Sequence, residues 1–139
     1  MIYLIDAAVL LNDELFSFSS KKHYVTTSFV VSEIKDFRSK ALLDNALANN
    51  FLKIVDRSEK ALKKIHELSN SIGSRLSKAD FSLLALAIDF KSEKKRFKVL
   101  TDDFSVQNLL LKLKISFDSV IQGKVKSFKA FKKQKKFLS

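Results

Sequence analysis

Five short runs rich in apolar and β-branched residues punctuate this sequence: IYLI (2–5), HYVTT (23–27), FLKIV (51–55), FKVLT (97–101) and ISF (115–117). Each is long enough for one buried strand, and the intervals between them carry helical periodicity. Strands separated by helix-length connections pair in parallel, because only a crossover can return the chain to the same end of the sheet. The expectation is therefore an α/β fold, a central and mostly parallel sheet covered by helices on both faces.

The helical stretches are AAVLLNDELF after the first run, a region from Phe29 to about Asn50 that is broken near Phe37, and SEKALKKIHELSNSI after FLKIV. LSKADFSLLALAIDFKSEK and FSVQNLLLKL follow. Proline is absent and glycine occurs only at Gly73 and Gly123, so element ends must be read from caps and periodicity. In LSKADFSLLALAIDFKSEK, whose second residue Ser77 is the candidate cap, apolar positions surround nearly the whole helix, which marks it as buried.

A chain of 139 residues suits one domain that buries about two-thirds of its unfolded surface. With no cysteine, disulfides, thiolate zinc sites and cysteine nucleophiles are excluded. No apolar run reaches the roughly 18 residues of a membrane span, and the chain opens on strand-like MIYLID, so a cytoplasmic protein is expected. The net charge of +11 is concentrated at one end, where GKVKSFKAFKKQKKFLS holds seven lysines and no acid. This divides the chain into a folded body, 1–121, and a basic tail, 122–139. Lys124, Lys126, Lys129, Lys132, Lys133, Lys135 and Lys136 favour a polyanion, and Phe128, Phe131 and Phe137 between them could stack on unpaired bases. A solvated tail, a basic helix packed on the domain and a membrane-surface segment are the other readings.

In an open parallel sheet, ligands bind beyond the carboxyl ends of the strands. Asp6 follows the first strand, and Asp102 and Asp103 follow FKVLT; Glu33 lies in SFVVSEIKDF and Asp80 in the first turn of the buried helix. Each has an ordinary explanation. Asp80 stands three residues after Ser77, as in a capping box, Asp103 can cap the FSVQNLLLKL helix, Asp6 can cap AAVLLN, and Glu33 can be a surface acid. Together they suggest convergence, since Asp6 and Asp80 border apolar runs where an unpaired charge is costly. Converging carboxylates call for a hard cation, Mg²⁺ or Mn²⁺, and metal-assisted phosphodiester hydrolysis is the chemistry such a cleft performs.

The same acids, in this order, resemble the PIN-domain nucleases. Asp6 after IYLI is similar to the first family aspartate, Glu33 in TTSFVVSEIKD to the helical glutamate, Asp80 in LSKADFSLLALA to the third acid, and Thr101 with Asp103 to the Thr-x-Asp ending. TTSFVVSEIKD, LSKADFSLLALA and TDDFSVQNLLLKLKISF look most like the Nob-type endoribonucleases that mature the 3′ end of small-subunit ribosomal RNA. The resemblance covers about residues 1–121. It implies a three-layer α/β/α domain and Mg²⁺- or Mn²⁺-dependent cleavage of single-stranded RNA. It also implies Asp6, Asp80 and Asp103 as metal ligands, Glu33 as a ligand or water orienter, Asp102 as a second-metal or outer acid, and Thr101 as a hydrogen-bond partner to a carboxylate. The lysines would then contact RNA, and homodimers are common in the family. Two departures stand out: DAA supplies no hydroxyl after Asp6, and the chain lacks the cysteines of the zinc ribbon usual in Nob-type proteins. These leave two alternatives, a VapC-type toxin ribonuclease with an antitoxin partner, and an inactive scaffold that binds RNA or a ribosomal partner.

Overall fold

The computed structural model describes residues 1–12, 17–19, 21–73, 75–121 and 124–128. They form strands β1 (Ile2–Ile5), β2 (His23–Thr26), β3 (Leu52–Ile54), β4 (Phe97–Leu100), β5 (Phe117–Ile121) and β6 (Lys124–Phe128). The helices are α1 (Ala7–Asn12), α2 (Ser28–Glu33), α3 (Phe37–Ala48), α4 (Glu59–Ile72), α5 (Lys78–Ser92) and α6 (Phe104–Lys112).

One six-stranded sheet runs in the order β3-β2-β1-β4-β5-β6. Every pair is parallel except β5 with β6. The chain steps outward from β1 to β3 on one side, then returns to lay β4 against the other side of β1. Right-handed crossovers in the two directions place helices on opposite faces, which gives the α/β fold its layers. The reversal between β1 and β4 opens a crevice at their carboxyl ends.

Apolar burial explains the arrangement. Leu4, Ile5, Val99 and Leu100 of the two central strands are buried, as are Leu83, Leu84, Leu86 and Phe90 of α5. The near-continuous apolar surface of α5 is used on several sides: it packs against α4, α2, α6 and β1. The helical region after β2 is two helices. Thr27 caps α2 through the Val30 N–H, and Asp36 caps α3 through the Ser39 N–H, so the chain turns between them.

Two features depart from the sequence expectations. The last parallel strand is Phe117–Ile121, further along than ISF. Lys114 leaves α6 with φ 59°, and the Ile115 N–H returns to the Leu110 carbonyl at 2.9 Å, so residues 115 and 116 belong to the helix exit. Asn50 and Lys94 close α3 and α5 in the same left-handed conformation, which Gly73 adopts after α4. Three helix ends therefore carry no glycine signal. The second departure is β6: ISF was expected to be the final strand, yet Lys124–Phe128, inside the lysine-rich segment, pairs with β5 from Ile121↔Lys124 to Phe117↔Phe128. Only two residues separate the strands, and a link that short permits an antiparallel partner alone.

An ion pair joins β4 to β5, Lys98 Nζ to Asp118 Oδ1 at 3.2 Å, with the Asp118 side chain 1% exposed. Removing the cation leaves a buried carboxylate alone. Lys98→Met is expected to cost about 3 kcal/mol in chemical denaturation, and Lys98→Met with Asp118→Leu to recover most of that loss.

Candidate metal centre at the sheet switch point

Asp6 leaves β1 directly into α1. Its N–H donates to the Leu100 carbonyl at 3.0 Å, so the end of β1 is held to the end of β4. The side chain is 2% exposed. Thr101, fully buried just after β4, donates its hydroxyl to Asp6 Oδ2 at 2.6 Å. The same Thr101 oxygen accepts the Asp103 N–H at 3.1 Å, and Gln107 Nε2 donates to the Thr101 carbonyl at 2.9 Å. The TDD turn is thus a rigid bracket around one buried carboxylate.

Asp103 caps α6: its Oδ1 accepts the N–H groups of Ser105 at 2.8 Å and Val106 at 3.4 Å. Asp80 forms the capping box with Ser77, Oδ2 accepting the Ser77 N–H at 3.1 Å and Ser77 Oγ accepting the Asp80 N–H at 3.1 Å. Both ordinary explanations therefore hold, and neither excludes convergence, because a carboxylate has two oxygens and about four acceptor sites. One oxygen from each of Asp6, Asp80 and Asp103 lies within 4.8 Å of the others, a geometry that could hold a cation. The donor set is all oxygen, which suits a hard divalent ion.

The electrostatics follow from the crowding. Burial pushes the Asp6 carboxyl up from its usual 3.8 to about 6, against the Thr101 hydroxyl and the Ala8 N–H that favour the charge, while Asp80 and Asp103 raise it further. Burial raises Asp80 as well, opposed by the Ser77 N–H and helped by the charge of Asp103.

Two other acids expected at the site lie outside the three-carboxylate group. Asp102 reaches β5: its Oδ1 accepts the Val120 N–H at 2.7 Å, which ties the turn to the neighbouring strand. Glu33 ends α2, outside the three-carboxylate group, and lines an open groove of about 600 Å³ with Phe29, Lys35, Lys78 and Ala79. The adjacent carboxylates are used in different directions, Asp102 toward β5 and Asp103 toward the first amides of α6. Of the lysines expected to contact RNA, Lys124 and Lys126 lie on β6. Lys129, Lys132, Lys133, Lys135 and Lys136 lie outside the described residues. Arg57, in contrast, went unremarked in the sequence although it follows strand β3 at the same end of the sheet. The rule that singled out acids after strands applies equally to cations.

Residues 3–90, well over half the chain, match the family described as the PIN domain of ribonuclease. The chain belongs to the PIN-domain family. Over 125 residues it is 31% identical to a protein named Endoribonuclease Nob1 from Methanothermobacter thermautotrophicus, covering 88% of this chain and 71% of that one. With Endoribonuclease Nob1 of Pyrococcus abyssi it shares 35% identity over 100 residues, covering 70% of this chain but only 59% of that relative. Ribonuclease VapC3 of Aeropyrum pernix is 35% identical over 86 residues, covering 60% of this chain and 62% of that one. Among solved structures, the PIN domain endonuclease Utp24 superimposes with a TM-score of 0.57 at 15% identity, covering 92% of this chain and 91% of that one, a likeness of fold. The PIN domain here thus places its acids where the β1/β4 crevice opens.

Two outcomes test this geometry. The folded protein holds the Asp6 proton up to about pH 6 and the unfolded chain only to about 3.8, so without divalent ions stability falls as pH rises through that window. Asp6→Asn should remove the Asp6 share of this slope, leave the smaller share that Asp80 contributes, and raise stability at pH 7 by on the order of 2–3 kcal/mol in EDTA, read by thermal melts across pH. Asp102→Ala should instead lower stability by about 1–3 kcal/mol and leave the pH slope in place.

Proposed function

We propose that this PIN domain is a divalent-metal-dependent endoribonuclease acting on single-stranded RNA, with Asp6, Asp80 and Asp103 as the ligands of a Mg²⁺ or Mn²⁺ ion. The observation that carries the reading is the buried Asp6 carboxylate held within 4.8 Å of two others at the switch point. Unpartnered by a cation, three such groups repel one another in a partly desolvated crevice. A divalent ion bound there would supply Lewis-acid polarisation of a phosphate oxygen and a lowered pKa for an attacking water.

The chain's own residues supply position. Thr101 fixes one oxygen of Asp6, Ser77 one of Asp80, and the first amides of α6 one of Asp103, so each carboxylate enters the cleft in a set orientation. Glu33, on the groove wall, is the acid available to orient water or substrate there. The lysines from Lys124 onward would hold the phosphates of the flanking strand, each contact releasing counterion and making binding salt-dependent. Precursor ribosomal RNA of the small subunit is the proposed substrate, supported by the Nob-type blocks and by similarity to proteins named Endoribonuclease Nob1. Similarity to Ribonuclease VapC3 supports a second reading, a toxin ribonuclease restrained by an antitoxin.

The test is cleavage of a labelled small-subunit rRNA precursor and an unrelated single strand with Mn²⁺. Wild type should cut the precursor at one site. Asp6→Asn and Asp103→Asn should each reduce the rate by roughly a hundredfold or more, and Thr101→Val should weaken apparent Mn²⁺ affinity about 10- to 100-fold. Cutting of both RNAs, with growth arrest on expression, would favour the toxin. No cutting, no rise in melting temperature with millimolar Mn²⁺ and retained RNA binding would leave only the scaffold.

A further inference from the structure

A second concavity adjoins the groove that Glu33 lines. Phe29 of α2, Arg57 beyond β3, His66 of α4, and Lys78 and Phe81 of α5 line a cavity of about 270 Å³. Phe29 and Lys78 also line the open groove that contains Glu33 and Ala79, so the two depressions are continuous around them. Lys78 stands two residues before Asp80 on the first turn of α5. The groove and the cavity thus border the start of α5, the helix that carries one of the three carboxylates.

The lining has an unusual chemistry. The His66 and Phe81 rings stack at 4.0 Å with an interplanar angle of 24°. Phe29 is 38% exposed although it is a large apolar ring, and the Arg57 guanidinium lies 5.7 Å from its centroid. Arg57 also carries the one buried side-chain polar atom among the described residues with no hydrogen-bond partner, Nε. Its Nη1 meets only the exposed Glu59, at 3.3 Å. Nε is closed off from solvent, so what Arg57 offers at the cavity wall is its guanidinium fork, whose planar N–H donors suit an oxygen acceptor. The volume lies just under the roughly 300–1,000 Å³ of sites that enclose whole ligands, the scale for a single planar ring system.

We propose that this cavity seats one unpaired nucleobase of the RNA, stacked against the Phe29 and His66–Phe81 rings, with Arg57 donating to a base or phosphate oxygen and Lys78 facing the backbone. Its placement relative to the scissile bond rests on the nuclease reading; base binding itself does not. Aromatic faces flanked by cations recognise a nucleobase better than an apolar peptide side chain, which offers the Arg57 guanidinium no acceptor.

The experiment measures binding of the full chain to a short fluorescein-labelled single-stranded RNA in EDTA, by anisotropy, with an abasic residue moved along the strand. Wild type should lose about tenfold in affinity when one position is abasic. Phe29→Leu, which keeps an apolar wall, and Arg57→Ala should bind the intact strand about tenfold more weakly, no longer sense the abasic position, and keep wild-type circular dichroism. Wild-type affinity in both variants overturns the proposal. So does an abasic penalty that persists in them or never occurs in wild type, the result expected if the cavity takes a protein side chain instead. Parallel Mn²⁺ cleavage separates the two readings: base sensing without cleavage removes the nuclease alone, and cleavage without base sensing removes the pocket alone.

Discussion

The hydrogen bond from Thr101 to Asp6 joins residues 95 positions apart, at the adjoining ends of the two central strands. Much of the molecule serves it. The parallel register of β1 with β4 brings Ile5 level with Leu100, so the next residue of each strand meets at the lip of the crevice. Packing of α5 against β1 closes the space below and delivers Asp80 from the third direction. A carboxylate buried at 2% exposure is tolerated because a hydroxyl and a backbone amide oppose its desolvation.

The other two acids show that a structural and a functional use can coexist in one side chain. Asp80 and Asp103 each satisfy helix-start amides that would otherwise lack partners. A cap fixes the rotamer, and a fixed rotamer is what a ligand set needs. Capping and convergence are therefore not rival explanations here: the cap orients the carboxylate that the cleft uses.

Cation placement completes the picture. The acids occupy the crevice itself, while Arg57, Lys35 and Lys78 surround the adjoining concavities. A polyanion approaching such a surface is attracted by the surroundings and repelled by the centre, a field that favours strand binding only with a cation between the acids and the phosphate.

What the sequence determined by itself was periodicity and local chemistry. Apolar runs and helical intervals were sufficient for the parallel α/β sheet, a break near Phe37 and the buried character of α5, because burial imposes those patterns residue by residue. Ser77, Asp80 and Asp103 were legible as caps for the same local reason. The tertiary structure decided matters that depend on direction and on distant neighbours. It parted Asp102 from Asp103, kept Glu33 out of the carboxylate group and brought Arg57 beside Phe29. It also recruited Lys124–Phe128 as a strand. Helix ends at Asn50, Lys94 and Lys114 escaped the sequence because left-handed residues other than glycine leave no compositional mark. Side-chain direction at a strand end is set by the pleat and by partners nearly a hundred residues away, and no local pattern encodes it.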